Sequence, residues 1–115
     1  VFYFPLGKVL YTSSIDRHKS YLMQEKTIEK ALIDAVKQHH GLCLKWVSPA
    51  FAGVPDRIIL LPHSHIAFAE LKAPEKKMRP LQQRRKAQLE QLGFKVYCID
   101  SISIIEGVIH EIQTT

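Results

Sequence analysis

The chain has 115 residues, enough for one domain with a real core and too few for two. At 46% hydrophobic and 23% charged, with no internal repeat or low-complexity tract, it has ordinary globular composition, and no apolar run reaches membrane-spanning length. The net charge of +5 is a moderate excess, so the placement of the bases matters more than their number.

The opening "VFYFPLGKVLY" is apolar but broken by Pro5, Gly7 and Lys8. Without a basic leader or a small-residue cleavage site it does not read as a signal peptide. Met23 precedes a helix pattern and is a candidate start, dividing the chain into an extension over 1–22 and a domain over 23–115. Over 24–38, apolar residues at 28, 31, 32, 33, 35 and 36 have helical spacing, and Gly41 marks the stop. "LCLKWV" (42–47) predicts a strand and "SPAFAG" (48–53) a loop. "DRIILL" (56–61) and "HIAFAEL" (65–71) predict two strands joined by "PHS", a hairpin-length gap in which His63 and neighbouring His65 read as turn residues. After a basic loop, Pro80 opens a helix over "LQQRRKAQLEQL" that Gly93 closes. "FKVYCI" (94–99) is a fourth strand and "SISIIEGVIHEI" (101–112) a short closing helix. The order α-β-β-β-α-β-α implies an α/β fold. Its last strand returns by a crossover, which gives a mixed four-stranded sheet flanked by helices. Cys43 and Cys98 stand in apolar runs without CxxC spacing, the pattern of buried thiols in a reduced, intracellular protein. His39, His40 and Cys43 lack the second ligand pair that a zinc site needs.

Asp56, Glu70 and Lys72 stand at the ends of segments that otherwise read as core. With the three-residue loop Pro62 to Ser64, His65 faces Leu61 and Glu70 falls opposite Asp56, at a separation typical of cross-strand neighbours. A two-residue loop shifts the register by one and sends the two acids to opposite faces. Lys72, two residues past Glu70, shares its face. Two carboxylates this close repel when ionised, and a divalent cation relieves the repulsion; Mg2+ takes one or two carboxylates with water and phosphate oxygens. A neighbouring lysine can orient the attacking water or stabilise charge on a phosphate. From Lys72 to Lys86, seven bases (Lys72, Lys76, Lys77, Arg79, Arg84, Arg85 and Lys86) accompany one acid, Glu75, a clustering suited to a phosphate backbone. Lys45, alone in its apolar strand, either contacts DNA or snorkels from an edge, and Trp46 reads as core.

The spacing "VPD", thirteen residues, "ELK" resembles the PD-(D/E)XK nuclease signature. The wider frame, with "GVPDR", "ELKAP", "RPLQ" and "LGFKVYCIDS", resembles the virus-type replication-repair nuclease (VRR-NUC) family over residues 23–105. The resemblance implies a restriction-endonuclease-like core in a cytoplasmic protein of bacterial or phage origin, with Mg2+- or Mn2+-dependent cleavage of DNA. By position it makes Asp56 and Glu70 metal ligands, Leu71 a carbonyl ligand, Lys72 the catalytic lysine and Gln82 a residue at the site's edge. It also implies a glutamate from the first helix. Glu25 lies about 35° from the centre of the apolar stripe and Glu29 about 75°, so Glu25 is preferred. Stand-alone members suggest a homodimer acting on four-way junctions, its interface in residues 1–22 or the closing helix. Flap or fork cleavage is the alternative substrate class, and a non-catalytic nucleic-acid-binding module the alternative function.

Overall fold

The computed structural model describes residues 2–3, 9–10 and 13–115. The elements are β1 (Phe2–Tyr3), β2 (Val9–Leu10), α1 (Ser14–Gln38), β3 (Leu42–Lys45), β4 (Arg57–Leu61), β5 (His65–Leu71), α2 (Pro80–Gln91), β6 (Lys95–Ile99), a 3-10 turn (Ile102–Ile104) and α3 (Ile105–Gln113). β1 and β2 form a small antiparallel pair, and the other four strands form one sheet in the order β3-β4-β5-β6. β4 runs antiparallel to both β3 and β5, while β6 joins β5 in parallel. A parallel neighbour needs a crossover connection, and α2 supplies it. The fold is therefore the α/β arrangement expected, a mixed four-stranded sheet flanked by helices.

Alternation along the strands separates two faces. The inner face carries Ile59, Leu61, Ala67, Ala69, Leu71 and Ile99. Against it pack the α1 stripe of Ile28, Leu32, Ala35 and Val36 and the α3 residues Ile105, Val108, Ile109 and Ile112. These are the stripe residues legible from helical spacing. α2 packs beside β6 and buries a single side chain, Gln82. Its end is marked by Gly93, whose φ of +96° is the left-handed conformation that glycine adopts without a side-chain penalty.

Three boundaries differ from expectation. α1 begins at Ser14 and runs unbroken through Met23, ten residues before the periodic pattern starts. Its buried residues begin only at Ile28, so no apolar stripe marks the first half. The start is set locally: the Ser13 hydroxyl accepts from the Asp16 N–H at 3.1 Å. The closing helix divides into the 3-10 turn and α3. Finally, β3 stops at Lys45, and Cys43 and Cys98 are half-buried rather than enclosed. Burial still pushes the Cys43 thiol up to about 11, which leaves it unreactive near neutrality. Among the described residues no helix is long and apolar enough to cross a membrane.

Candidate active site

Leu61 pairs with His65, so the β4–β5 loop is the three-residue one, Pro62 to Ser64. His63 and Ser64 take φ of +69° and +64° to reverse the chain. The pairing continues to Arg57 and Ala69, and one step further in the same register Asp56 meets Glu70. Asp56 Oδ2 accepts the Leu71 N–H at 2.9 Å, which ties the entrance of β4 to the exit of β5. The Asp56 carbonyl accepts from Trp46 N at 2.9 Å and holds the β3 side in line.

Glu70 is 1% exposed, and Lys72 Nζ lies 3.3 Å from its Oε2. Its Oε1 is a buried acceptor with no hydrogen-bond partner. Burial raises the Glu70 carboxyl to about 7, with the Asp56 charge and the hydrogen bond to Asp56 adding to it and Lys72 opposing. One ammonium does not balance two adjacent carboxylates in so dry a position. Native proteins rarely leave such an acceptor orphaned, and a cation is a sufficient partner.

Glu25 also titrates high, through burial first and then the Asp56 charge, opposed by Lys72. It therefore sits in the field of the site. Glu29, one turn on, accepts from Arg57 Nε at 3.2 Å, while Arg57 Nη1 donates to the Cys43 carbonyl at 3.3 Å. Glu29 thus fastens α1 to the sheet. Glu25→Gln is expected to lower DNA cleavage about 10–100-fold with little change in melting temperature. Glu29→Gln should do the opposite, and steady-state rates beside thermal melts check the pair.

Among the described residues, no three His, Cys, Asp or Glu side chains are grouped closely enough to hold a metal by themselves. Two carboxylates, water and substrate oxygens are nevertheless a sufficient set for Mg2+, which keeps much of its hydration. The donors at this site fit that ion. His39, His40, His63 and His65 gather at the other end of the β4–β5 hairpin, where they line a groove. His39 is already paired with Glu106 there, at 2.9 Å.

Gln82 is 7% exposed, and its Oε1 accepts from Arg79 N at 2.9 Å, so it closes the first turn of α2 and is not a solvated helix-start residue. Trp46 is half-buried and stacks against Phe68 at 4.9 Å between ring centroids. Lys45 is exposed on the edge strand β3.

The basic run is not uniform. Lys77, Arg79 and Arg84 are exposed, as is Lys76, whose ammonium lies 4.3 Å from the Tyr21 ring centroid. Arg85 instead donates to the Ala52 carbonyl at 2.7 Å and covers the Phe51 ring at 3.7 Å. Lys86 pairs with Glu90 at 3.0 Å. Arg85 pins the 48–53 loop to α2, and Gly53 fits beneath it: at φ +85°, an added Cβ would stand 2.7 Å from Leu81 Cγ. Sequence clustering could not separate these two bases from the others, because an arginine stem packs as readily as it solvates. Reversing Lys77, Arg79 and Arg84 to Glu should weaken binding to all DNA sequences alike. It should also flatten the dependence of log K on log salt by up to ~0.9 for each phosphate no longer neutralised. Arg85→Ala should chiefly lower the melting temperature.

No family model matches the chain. Over 80 residues it is 45% identical to "Putative nuclease p44" of Acyrthosiphon pisum secondary endosymbiont phage 1, an alignment covering 70% of this chain and 86% of that protein. A solved "VRR_NUC domain" superposes with a TM-score of 0.71 at 25% identity, covering 76% of this chain and 95% of that one. Sequence and fold agree with the motifs at Asp56, Glu70 and Lys72, and the chain belongs to the VRR-NUC family.

Proposed function

We propose that the protein is a divalent-metal-dependent endodeoxyribonuclease acting on branched DNA. The observation that carries this reading is the buried Glu70 carboxylate, with its unpartnered Oε1, between Asp56 and Lys72. The nuclease p44 relative supports the same class. Asp56 and Glu70, with the Leu71 carbonyl, would hold Mg2+ or Mn2+, and Glu25 would orient the waters around it. The ion supplies Lewis acidity to the scissile phosphate and acidifies water near it. Lys72 is tethered by Glu70 at 3.3 Å, where its ammonium can hold a water for attack or meet charge developing on the phosphate. Gln82 stiffens the start of α2 at the edge of the site. The bases at 45, 76, 77, 79 and 84 supply contacts to the DNA backbone, which position the duplex without reading its sequence.

The described residues hold one such site, so paired cuts across a four-way junction call for two copies. A two-fold homodimer fixes two sites at one spacing. The first test is cleavage of a panel of junction, flap, fork and linear DNAs with Mg2+, Mn2+, Ca2+ or chelator. Cleavage is expected only with Mg2+ or Mn2+, paired near the crossover of the junction, while DNA binding persists in Ca2+. Cutting that survives chelation would sink the metal mechanism. Preference for a single flap would replace the junction reading and leave the nuclease standing.

A further inference from the structure

The loop between β3 and β4 stands apart from its surroundings in charge. Residues 46–55, "WVSPAFAGVP", hold no charged side chain, although exposed Lys45 precedes them and Arg85 of the basic helix α2 is bonded to them. The root of the loop is the site itself, since the Trp46 N–H donates to the Asp56 carbonyl at 2.9 Å. Further along, the Phe51 N–H donates to the Ser48 carbonyl at 3.2 Å, and Phe51 is 44% exposed. The Arg85 guanidinium stands 3.7 Å from the centre of the Phe51 ring and covers one of its faces. The exposure that remains falls on the opposite face and the rim. Three restraints fix the arrangement: the Arg85 bond to the Ala52 carbonyl, the turn at Ser48, and Gly53 in its left-handed conformation against Leu81. A large aromatic ring is thus presented to solvent in a set position.

We infer that Phe51 stacks on an exposed base of the DNA substrate and so favours interrupted over continuous duplex, an inference that rests on the nuclease reading above. A phosphate backbone offers nothing to an uncharged ring without donors, whereas every base has a face on which an aromatic side chain can stack. In a continuous duplex each base face is covered by the next base pair. A face is free only where stacking is interrupted, at a crossover, flap, fork or strand end. Exposed Lys45 at one root of the loop, and exposed Arg84 next to Arg85 on α2, supply the positive charge that brings a polyanion to it. Arg85 extends the stack, because a guanidinium behind the ring completes a layered base–ring–cation arrangement. The ring is already ordered in the free protein, so little affinity is lost in fixing it. Reach agrees with this role. Phe51 is five positions before Asp56, so even an extended chain keeps the two Cα atoms within about 18 Å. That span is on the order of five base-pair steps between a stacked base and a phosphate held at the acids.

The test is binding in Ca2+, which needs no turnover. A four-way junction and a linear duplex each carry the fluorescent base analogue aminopurine, placed in turn at the positions nearest the crossover and at matching positions of the duplex. Wild type should quench the analogue in the junction, as stacking on a ring does, and leave the duplex signal unchanged. Phe51→Ala should abolish the quenching and raise Kd for the junction at least ~5-fold, while Kd for the duplex moves less than ~2-fold. Phe51→Trp should restore both readouts. Phe51→Leu, which keeps apolar bulk without the ring, should restore neither, and it carries the comparison if the alanine variant melts early. Quenching that survives Phe51→Leu, equal loss of affinity for both DNAs, or a wild type that quenches nothing overturns the inference. The nuclease reading fails separately, if wild type shows the Phe51-dependent quenching and cuts no DNA with Mg2+ or Mn2+.

Discussion

Asp56→Asn and Glu70→Gln should each reduce cleavage in Mg2+ at least ~10³-fold, while DNA binding in Ca2+ or chelator is retained. Each change removes one negative charge at nearly constant shape, so the effect falls on the cation-binding pair and not on packing. Lys72→Ala should cost about 10²–10³ in turnover and leave the Mg2+ concentration for half-maximal rate unchanged. Single-turnover assays across a Mg2+ titration separate these outcomes. An Asp56→Asn enzyme that recovered full turnover at high Mg2+ would show that the acid only recruits the ion. Wild-type turnover by Lys72→Ala would remove the lysine from the chemistry.

The second large effect concerns stability without metal. The Glu70 carboxyl titrates near 7 in the folded chain against 4.5 for the ordinary group, so the native state holds its proton more tightly than the unfolded state does. Stability from this group is complete below pH 4.5 and is lost as pH rises through about 7. The total is on the order of 3 kcal/mol at most, since each tenfold difference in proton affinity between the two states corresponds to about 1.4 kcal/mol. Metal-free Glu70→Gln should therefore be more stable than wild type at pH 8 and lack this pH dependence. Adding Mg2+ to wild type should offset part of the loss. Urea unfolding at pH 5 and pH 8, with and without the ion, measures each arm. Equal stability of wild type and variant at pH 8 would mean that neither burial nor the Asp56 charge disfavours an ionised Glu70 in the folded chain.

Periodicity was a reliable guide where burial is one-sided. The stripe at Ile28, Leu32, Ala35 and Val36 and the strands on either side of Pro62 follow from it, because each element hides one face. The position of the acids was legible for the same reason: once the loop has an odd number of residues, the pleat brings Asp56 and Glu70 together. The first ten residues of α1 were not legible, since a helix that buries nothing leaves no apolar period, only a cap at Ser13. Nor was the burial of Gln82 or the work of Arg85, whose partners, Arg79 N in one case and Ala52 and Phe51 in the other, are found only by folding. The exposure of β3 was hidden in the opposite way: "LCLKWV" reads as a buried strand by composition, yet Leu42 and Leu44 stand 59% and 43% exposed.

α2 hides one glutamine and no apolar side chain, and that difference has a kinetic counterpart. Elements held by little buried surface open at a small fraction of the free energy needed to unfold the whole chain. Amide protons of α2 should therefore exchange with solvent through local opening, while those of β5, held between two strands, wait for global unfolding. The helix that carries Arg84 is thus cheaper to rearrange than the strands beside it. On the branched-DNA reading proposed above, it would adjust to an irregular backbone while the strands bearing Asp56 and Glu70 keep their spacing. Bound DNA should then slow exchange more strongly in α2 than in β5, so that a weakly held element of the free protein becomes the one that reports substrate.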